Sequence, residues 1–147
     1  MASLLEVLKS EFRNALAIGT IPVTDPESWP AVTEFLSKIE SANARCEVIA
    51  ESDNQLFQHS LRTDTTYSGK GVPRVPFKQL QGRRDLLQRE LQKTDTRKQR
   101  ARFSISTLPL PLYVVRVDES VWYLPVTGEG DRIESYRQLS AGDPWFQ

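Results

Sequence analysis

The sequence predicts an α/β (or α+β) fold: a small mixed sheet with a C-terminal β-hairpin, packed against two N-terminal helices and one crossover helix. Three observations carry that expectation. Apolar residues recur at helical spacing in two N-terminal stretches and again over 80–91, the period of helices that bury one face. The short stretch Cys46-Glu47-Val48-Ile49-Ala50 follows the second helical stretch at once, the close connection usual in α/β proteins. Two aromatic and β-branched runs, 113–117 and 121–126, are parted only by Asp118-Glu119-Ser120, a β-hairpin signal.

The elements follow in chain order. Ser3-Leu4-Leu5-Glu6 fits a capping box, and Leu4, Leu8, Phe12, Ala15 and Leu16 continue as one apolar stripe that Gly19 stops. A helix is therefore expected over 1–20, facing the core or serving as a docking appendage for a partner chain. Ile21-Pro22-Val23-Thr24-Asp25-Pro26 reads as extended linker, because proline removes backbone donors and restricts its predecessor. A second helix begins near Pro30, with Val32, Phe35, Leu36 and Ile39 on one face, and ends around Ala44. After the strand at 46–50, a short helix over 54–61 turns Leu56, Phe57 and Leu61 inward, and 62–78 is an irregular loop. Residues 79–94 form the crossover helix, burying Leu80, Leu87 and Leu91. The alternating stretch at 102–106 is a strand parallel to 46–50, joined to it right-handedly. Pro125 forfeits a ladder donor, which places the hairpin at the end of its sheet. Asp143-Pro144-Trp145-Phe146 has the pattern of a helix start, so either a domain is cut there or the two aromatics bury against the body or a partner.

Composition bounds the function. A chain of 147 residues, 39% apolar and 26% charged, has the size and balance of one globular domain over 1–147, large enough to fold without disulfides or metal. One cysteine and one histidine exclude a disulfide framework, a Cys-cluster zinc site and two-His catalytic schemes within the chain; no cofactor or metal is expected. Glu6, Lys9, Glu11 and Arg13 interrupt the first apolar stretch, so it is not a signal peptide, and no window is apolar enough to span a bilayer. A cytoplasmic protein with reduced Cys46 is expected.

Charge is segregated although it totals zero. Residues 1–69 carry 5 basic and 10 acidic side chains, residues 70–102 carry 11 and 3, and residues 103–147 carry 3 and 6. Arg83, Arg84, Arg89, Lys93, Arg97, Lys98, Arg100 and Arg102 are thus candidates to bind an anionic ligand or a nucleic-acid backbone, with Tyr67 and Phe77 able to stack on bases. The same segment can equally be a solvated helix face balanced by the acidic N-terminal third. Ser68-Gly69-Lys70-Gly71 lacks P-loop spacing and reads as a flexible turn. His59 could act as a general base oriented by Asp53 or Asp64, but no G-x-S-x-G elbow accompanies it, and a structural histidine is the plainer reading. Cys46, opening a buried strand, behaves as a small apolar group. Trp122, Tyr123, Trp145 and Phe146 are candidate interface residues, since aromatics beyond the needs of the core serve interfaces.

One family resemblance covers residues 30–147. It is carried by the helix feeding 45–53 and the Leu/Arg-rich helix. Phe103-Ser104-Ile105-Ser106, Pro111-Leu112-Tyr113-Val114-Val115-Arg116-Val117-Asp118-Glu119 and the final Asp143-Pro144-Trp145-Phe146 complete it. This pattern resembles the phospholipase-D-like sensory domains of bacterial regulators and signalling proteins. Active members use two His-x-Lys motifs, whereas here Ser60 and Leu61 follow His59 and no second histidine exists. The resemblance therefore implies a non-catalytic copy whose role is recognition. Residues and resemblance together point to a non-enzymatic binding or regulatory module. It would act through a protein partner, a homo-oligomer or a small anionic ligand. Nucleic-acid binding through 70–102 and a structural subunit of a larger assembly are the alternatives.

Overall fold

In the computed structural model of the chain, residues 3–64, 75–126 and 131–139 are described. Six strands form one mixed sheet. They are β1 (Asn14–Ile18), β2 (Arg45–Ala50), β3 (Ala101–Ile105), β4 (Leu112–Val117), β5 (Ser120–Pro125) and β6 (Arg137–Gln138). The helices are α1 (Leu4–Leu8), α2 (Trp29–Ser41), α3 (Asp53–Asp64) and α4 (Phe77–Thr94). The strand order is β3-β2-β1-β4-β5-β6, parallel among β1, β2 and β3 and antiparallel from β4 onward. The α/β fold with C-terminal strands is thus present, and the 102–106 strand does lie parallel beside 46–50.

Alternation along the strands separates two faces. Ala15, Ala17, Cys46, Val48, Val115 and Trp122 share the face that meets the apolar stripes of α1, α2 and α4. Val32, Phe35, Leu36 and Ile39 of α2 and Leu80, Leu87 and Leu91 of α4 are all buried there, as their spacing requires. Losing such a side chain, Ile39→Ala for example, typically costs about 2–5 kcal/mol. The opposite face carries Leu16, Ile18, Ile49, Val114 and Tyr123, half-buried and outside the core cluster, beside exposed Arg45, Glu47, Arg102 and Arg116.

The expected helix over 1–20 is corrected. Ser3 does cap α1, accepting the Glu6 N–H at 3.3 Å, but the helix lasts only to Leu8. Lys38 of α2 donates to the carbonyls of Lys9 and Ser10 at 2.6 and 2.7 Å, which satisfies the helix end. Phe12 then stacks on Phe35 with ring centroids 3.9 Å apart, and residues 14–18 become the central strand. Tertiary pairing on both edges of β1 outweighs the helical periodicity of Ala15 and Leu16. An appendage is ruled out for this stretch, because its removal would split the sheet.

Other expectations shift too. Of the extended linker expected over 21–26, residues 21–24 are instead a buried turn, closed by Thr24 N–H to Thr20 O at 3.0 Å. In α3, Leu56 is buried but Phe57 and Leu61 are 46% and 45% exposed, on the side turned from the sheet. The two ends of the irregular loop expected over 62–78 are helical, since α3 runs to Asp64 and α4 starts at Phe77; residues 65–74, with Tyr67 and the turn expected at 68–71, lie outside the described residues. The hairpin is not terminal, since β6 pairs with Trp122 and Tyr123, short of the missing donor at Pro125. The helix start expected at 143–146 also lies outside the described residues. Among the described residues no helix is long and apolar enough to cross a membrane.

Candidate functional site

The basic segment does not form one face. Arg84 is 5% exposed, its Nη1 lying 2.7 Å from Asp53 Oδ1 and donating to the Glu51 carbonyl at 3.1 Å. It is a buried tie between α4 and the end of β2, not a surface cation, because its α4 position falls on the stripe of Leu80, Leu87 and Leu91. Arg83 is half-buried, whereas Arg89 and Lys93 are exposed one turn apart on α4. Arg97 and Lys98 are exposed in the connection from α4 to β3, and Arg100 and Arg102 flank or lie on β3.

Two of these, Arg100 and Arg102, join residues that the charge run did not include. Arg45, Arg100, Arg102 and Arg116, with Asn14 and Glu47, line one shallow groove of about 430 Å3. Strand register builds it. Arg102 lies opposite Glu47, Glu47 opposite Leu16, and Leu16 opposite Arg116, so the row crosses four strands on the open face. At the usual strand spacing, the outer two arginines start about 14 Å apart. Arg45 stands beside Asn14, two residues down the strands. Four guanidinium groups face a single carboxylate, and among the described residues none of Arg45, Arg102 and Arg116 has an ion-pair partner. Arg116 Nε donates to the Asp118 carbonyl at 3.0 Å, which steadies that side chain beside the hairpin turn. Planar guanidinium forks suit phosphate and carboxylate oxygens, and unneutralised ones keep a positive field over the groove.

The sequence signal for Arg45 and Arg116 is strand alternation. In 45–48 polar and apolar residues alternate, and Arg116 is the lone charge in its strand, so each belongs to the polar face. Adding them to Arg102 requires knowing that β1 lies between β2 and β4.

The remaining candidates are dispersed. Trp122 is buried in the core and is not a surface interface group, while Tyr123, next in the strand, is half-buried on the open face. Trp145 and Phe146 lie outside the described residues. His59 is buried at the other end of the sheet, its Nδ1 4.0 Å from Asp131 Oδ2, whereas Asp53 pairs with Arg84 and the side chain of Asp64 lies outside the described ones. Burial pushes the Cys46 thiol up to about 12, so it stays protonated and unreactive at neutral pH. Among the described residues no three of His, Cys, Asp and Glu gather in a geometry that holds a metal ion. Comparison with known proteins found no matching family, no matching curated protein and no matching solved structure.

Proposed function

We propose that this chain is a non-enzymatic recognition module that holds a phosphate-bearing anion in the arginine groove of its open sheet face. The observation that carries the reading is the convergence of Arg45, Arg100, Arg102 and Arg116, from three strands and a connecting turn, on one groove. Their fields add over the ligand, and the half-buried Leu16 between them offers an apolar floor. The likeness to phospholipase-D-like sensory domains implies the same kind of role, recognition without turnover. A regulatory module in the cytoplasm, meeting an anionic ligand or an acidic partner protein, suits a buried reduced thiol.

A second reading, binding of a nucleic-acid backbone, is favoured by one feature. Lys98 and Arg102 line a further cavity on the outer side of β3, which extends the basic surface past the groove toward Arg97. Titration of the protein with pyrophosphate and with single-stranded oligonucleotides of increasing length separates the two. A groove for a small anion saturates with pyrophosphate, whereas a backbone site tightens with length. Arg45→Glu or Arg102→Glu is expected to weaken binding about tenfold or more, while Arg89→Glu, outside the groove, changes it by less than about threefold. Equal losses from all three variants, or no binding by the native chain, would refute the reading.

A further inference from the structure

The two edges of the sheet are unlike. At one, β6 is two residues long, Arg137 and Gln138, too short to template another strand. At the other, β3 runs for five residues, Ala101-Arg102-Phe103-Ser104-Ile105, in unbroken parallel register with β2. Very short length, a proline or a bulge commonly protects an edge from pairing, and β3 has none of the three.

Its hydrogen bonds leave the outward side open. The Arg100 carbonyl accepts from the Cys46 N–H, and the Ser106 N–H donates to the Ala50 carbonyl, each at 2.9 Å. Alternate residues of a parallel strand bond to a given neighbour, so Arg102 and Ser104 also turn their backbone groups to β2. Ala101, Phe103 and Ile105 turn theirs outward. The Ala101 N–H is taken by Asp95 Oδ2 at 2.9 Å. Among the described residues, the N–H and C=O groups of Phe103 and Ile105 have no hydrogen-bond partner.

Shape and charge name the occupant. Between this edge and the end of α4 lies the cavity of about 430 Å3, with Leu91, Ala101 and Phe103 as apolar lining and exposed Lys98 and Arg102 beside them. Asp95, the acid that also lines it, is engaged by the N–H groups of Gln99, Arg100 and Ala101. An added strand sends alternate side chains to the two faces of the sheet. Those beside Ala101 and Phe103 drop toward the apolar lining, and those beside Arg102 meet the arginine face. Ile105, on the same face as Phe103, and Leu108 just past the strand are 47% and 72% exposed and prolong the apolar side. Arg97, Lys98, Arg100 and Arg102 stand in the strand or just before it, so a second copy of this chain brings like charges together, whereas an acidic segment neutralises them. We propose that β3 takes up an extended segment of another protein as an added strand, one in which acidic and apolar residues alternate. The pairing goes beyond the phosphate groove and does not rest on it, because the backbone of Phe103 and Ile105 supplies it.

Amide-resolved NMR of the full chain with an end-blocked, eight-residue peptide of alternating glutamate and valine tests this. Binding is expected to slow solvent exchange of the Phe103 and Ile105 amides about tenfold or more, and a lysine-valine peptide of equal length should bind at least about tenfold more weakly. Ile105→Pro removes an outward donor while the bonds of Ser104 and Ser106 to β2 remain, and should weaken the glutamate peptide about tenfold. Lys98→Glu, at an exposed position outside the sheet, should weaken it about threefold or more. Equal binding of the two peptides, no protection of Phe103 and Ile105 up to about 1 mM peptide, or undiminished binding by either variant would overturn the proposal. So would a free chain that sediments as a dimer with these two amides already protected, since the edge would then belong to a second copy. Pyrophosphate added to a separate sample is read at Arg116, three strands from the edge, so the groove and the edge succeed or fail separately.

Discussion

Asp95, the C-cap of α4, receives the backbone N–H groups of Gln99, Arg100 and Ala101 at 3.4, 3.1 and 2.9 Å. It thereby shapes the tight turn that delivers Arg100 and Arg102 to the groove, a turn in which Lys98 takes a left-handed φ of 54°. Burial opposes the charge on Asp95, but the three N–H donors and nearby Arg100 outweigh it and hold its pKa below the ordinary value. A depressed carboxylate stabilises the fold fully above its unfolded pKa, about 3.9, and loses that contribution as pH falls through the lower folded value. Asp95→Asn is therefore expected to cost about 1–2 kcal/mol near neutral pH. In urea titrations at several pH values, its deficit against the native chain should close only below the usual aspartate range. Gly19 is the second decisive residue. Its φ is +87°, and a Cβ there would come within 2.4 Å of Tyr113 Cδ1, in a ring that is fully buried. Backbone strain alone predicts a loss of about 1–3 kcal/mol for Gly19→Ala, readable as a lowered midpoint in thermal or urea unfolding.

At the scale of elements, β1 separates a strand from a helix by which residue is buried. In the strand, Ala17 points at the helices beside Val48 and Val115, while Leu16 lies on the open face. A helix continuing the stripe of Leu4, Leu8 and Phe12 would instead bury Leu16 and expose Ala17. Ala17→Leu is accordingly expected to overpack the core and cost about 1–3 kcal/mol, whereas Leu16→Gln costs under about 1 kcal/mol. Urea midpoints of the two variants provide the check, and the reverse order would contradict the strand. The amphipathic helices α2 and α4 and the hairpin were legible because their signals are local: a period of 3.6 with few interruptions, or β-branched runs around a short turn. A five-residue strand of Asn, Ala, Leu, Ala and Ile has no such signal, and its identity comes from partners about 30 and about 100 residues away along the chain.

Across the whole molecule, zero net charge conceals a local excess of cations: Arg45, Arg100, Arg102 and Arg116 gather over one end of the sheet. Binding of an oligonucleotide at the groove should weaken steeply with added salt. Three phosphates engaged by arginine predict a slope of log K against log salt of about −2. Isothermal titration from about 50 to 200 mM salt measures it, and a flat response would remove the phosphate contacts from the account. The sequence by itself determined that α2 and α4 are helical, where the hairpin turns, and that cations crowd into 70–102, because each depends on neighbours along the chain. Only the tertiary structure decided that Arg84 is buried against Asp53 while Arg45 and Arg116 come to stand with Arg100 and Arg102. Strand order and register set those distances, and both arise from hydrogen bonds and burial between segments that composition and local period do not connect.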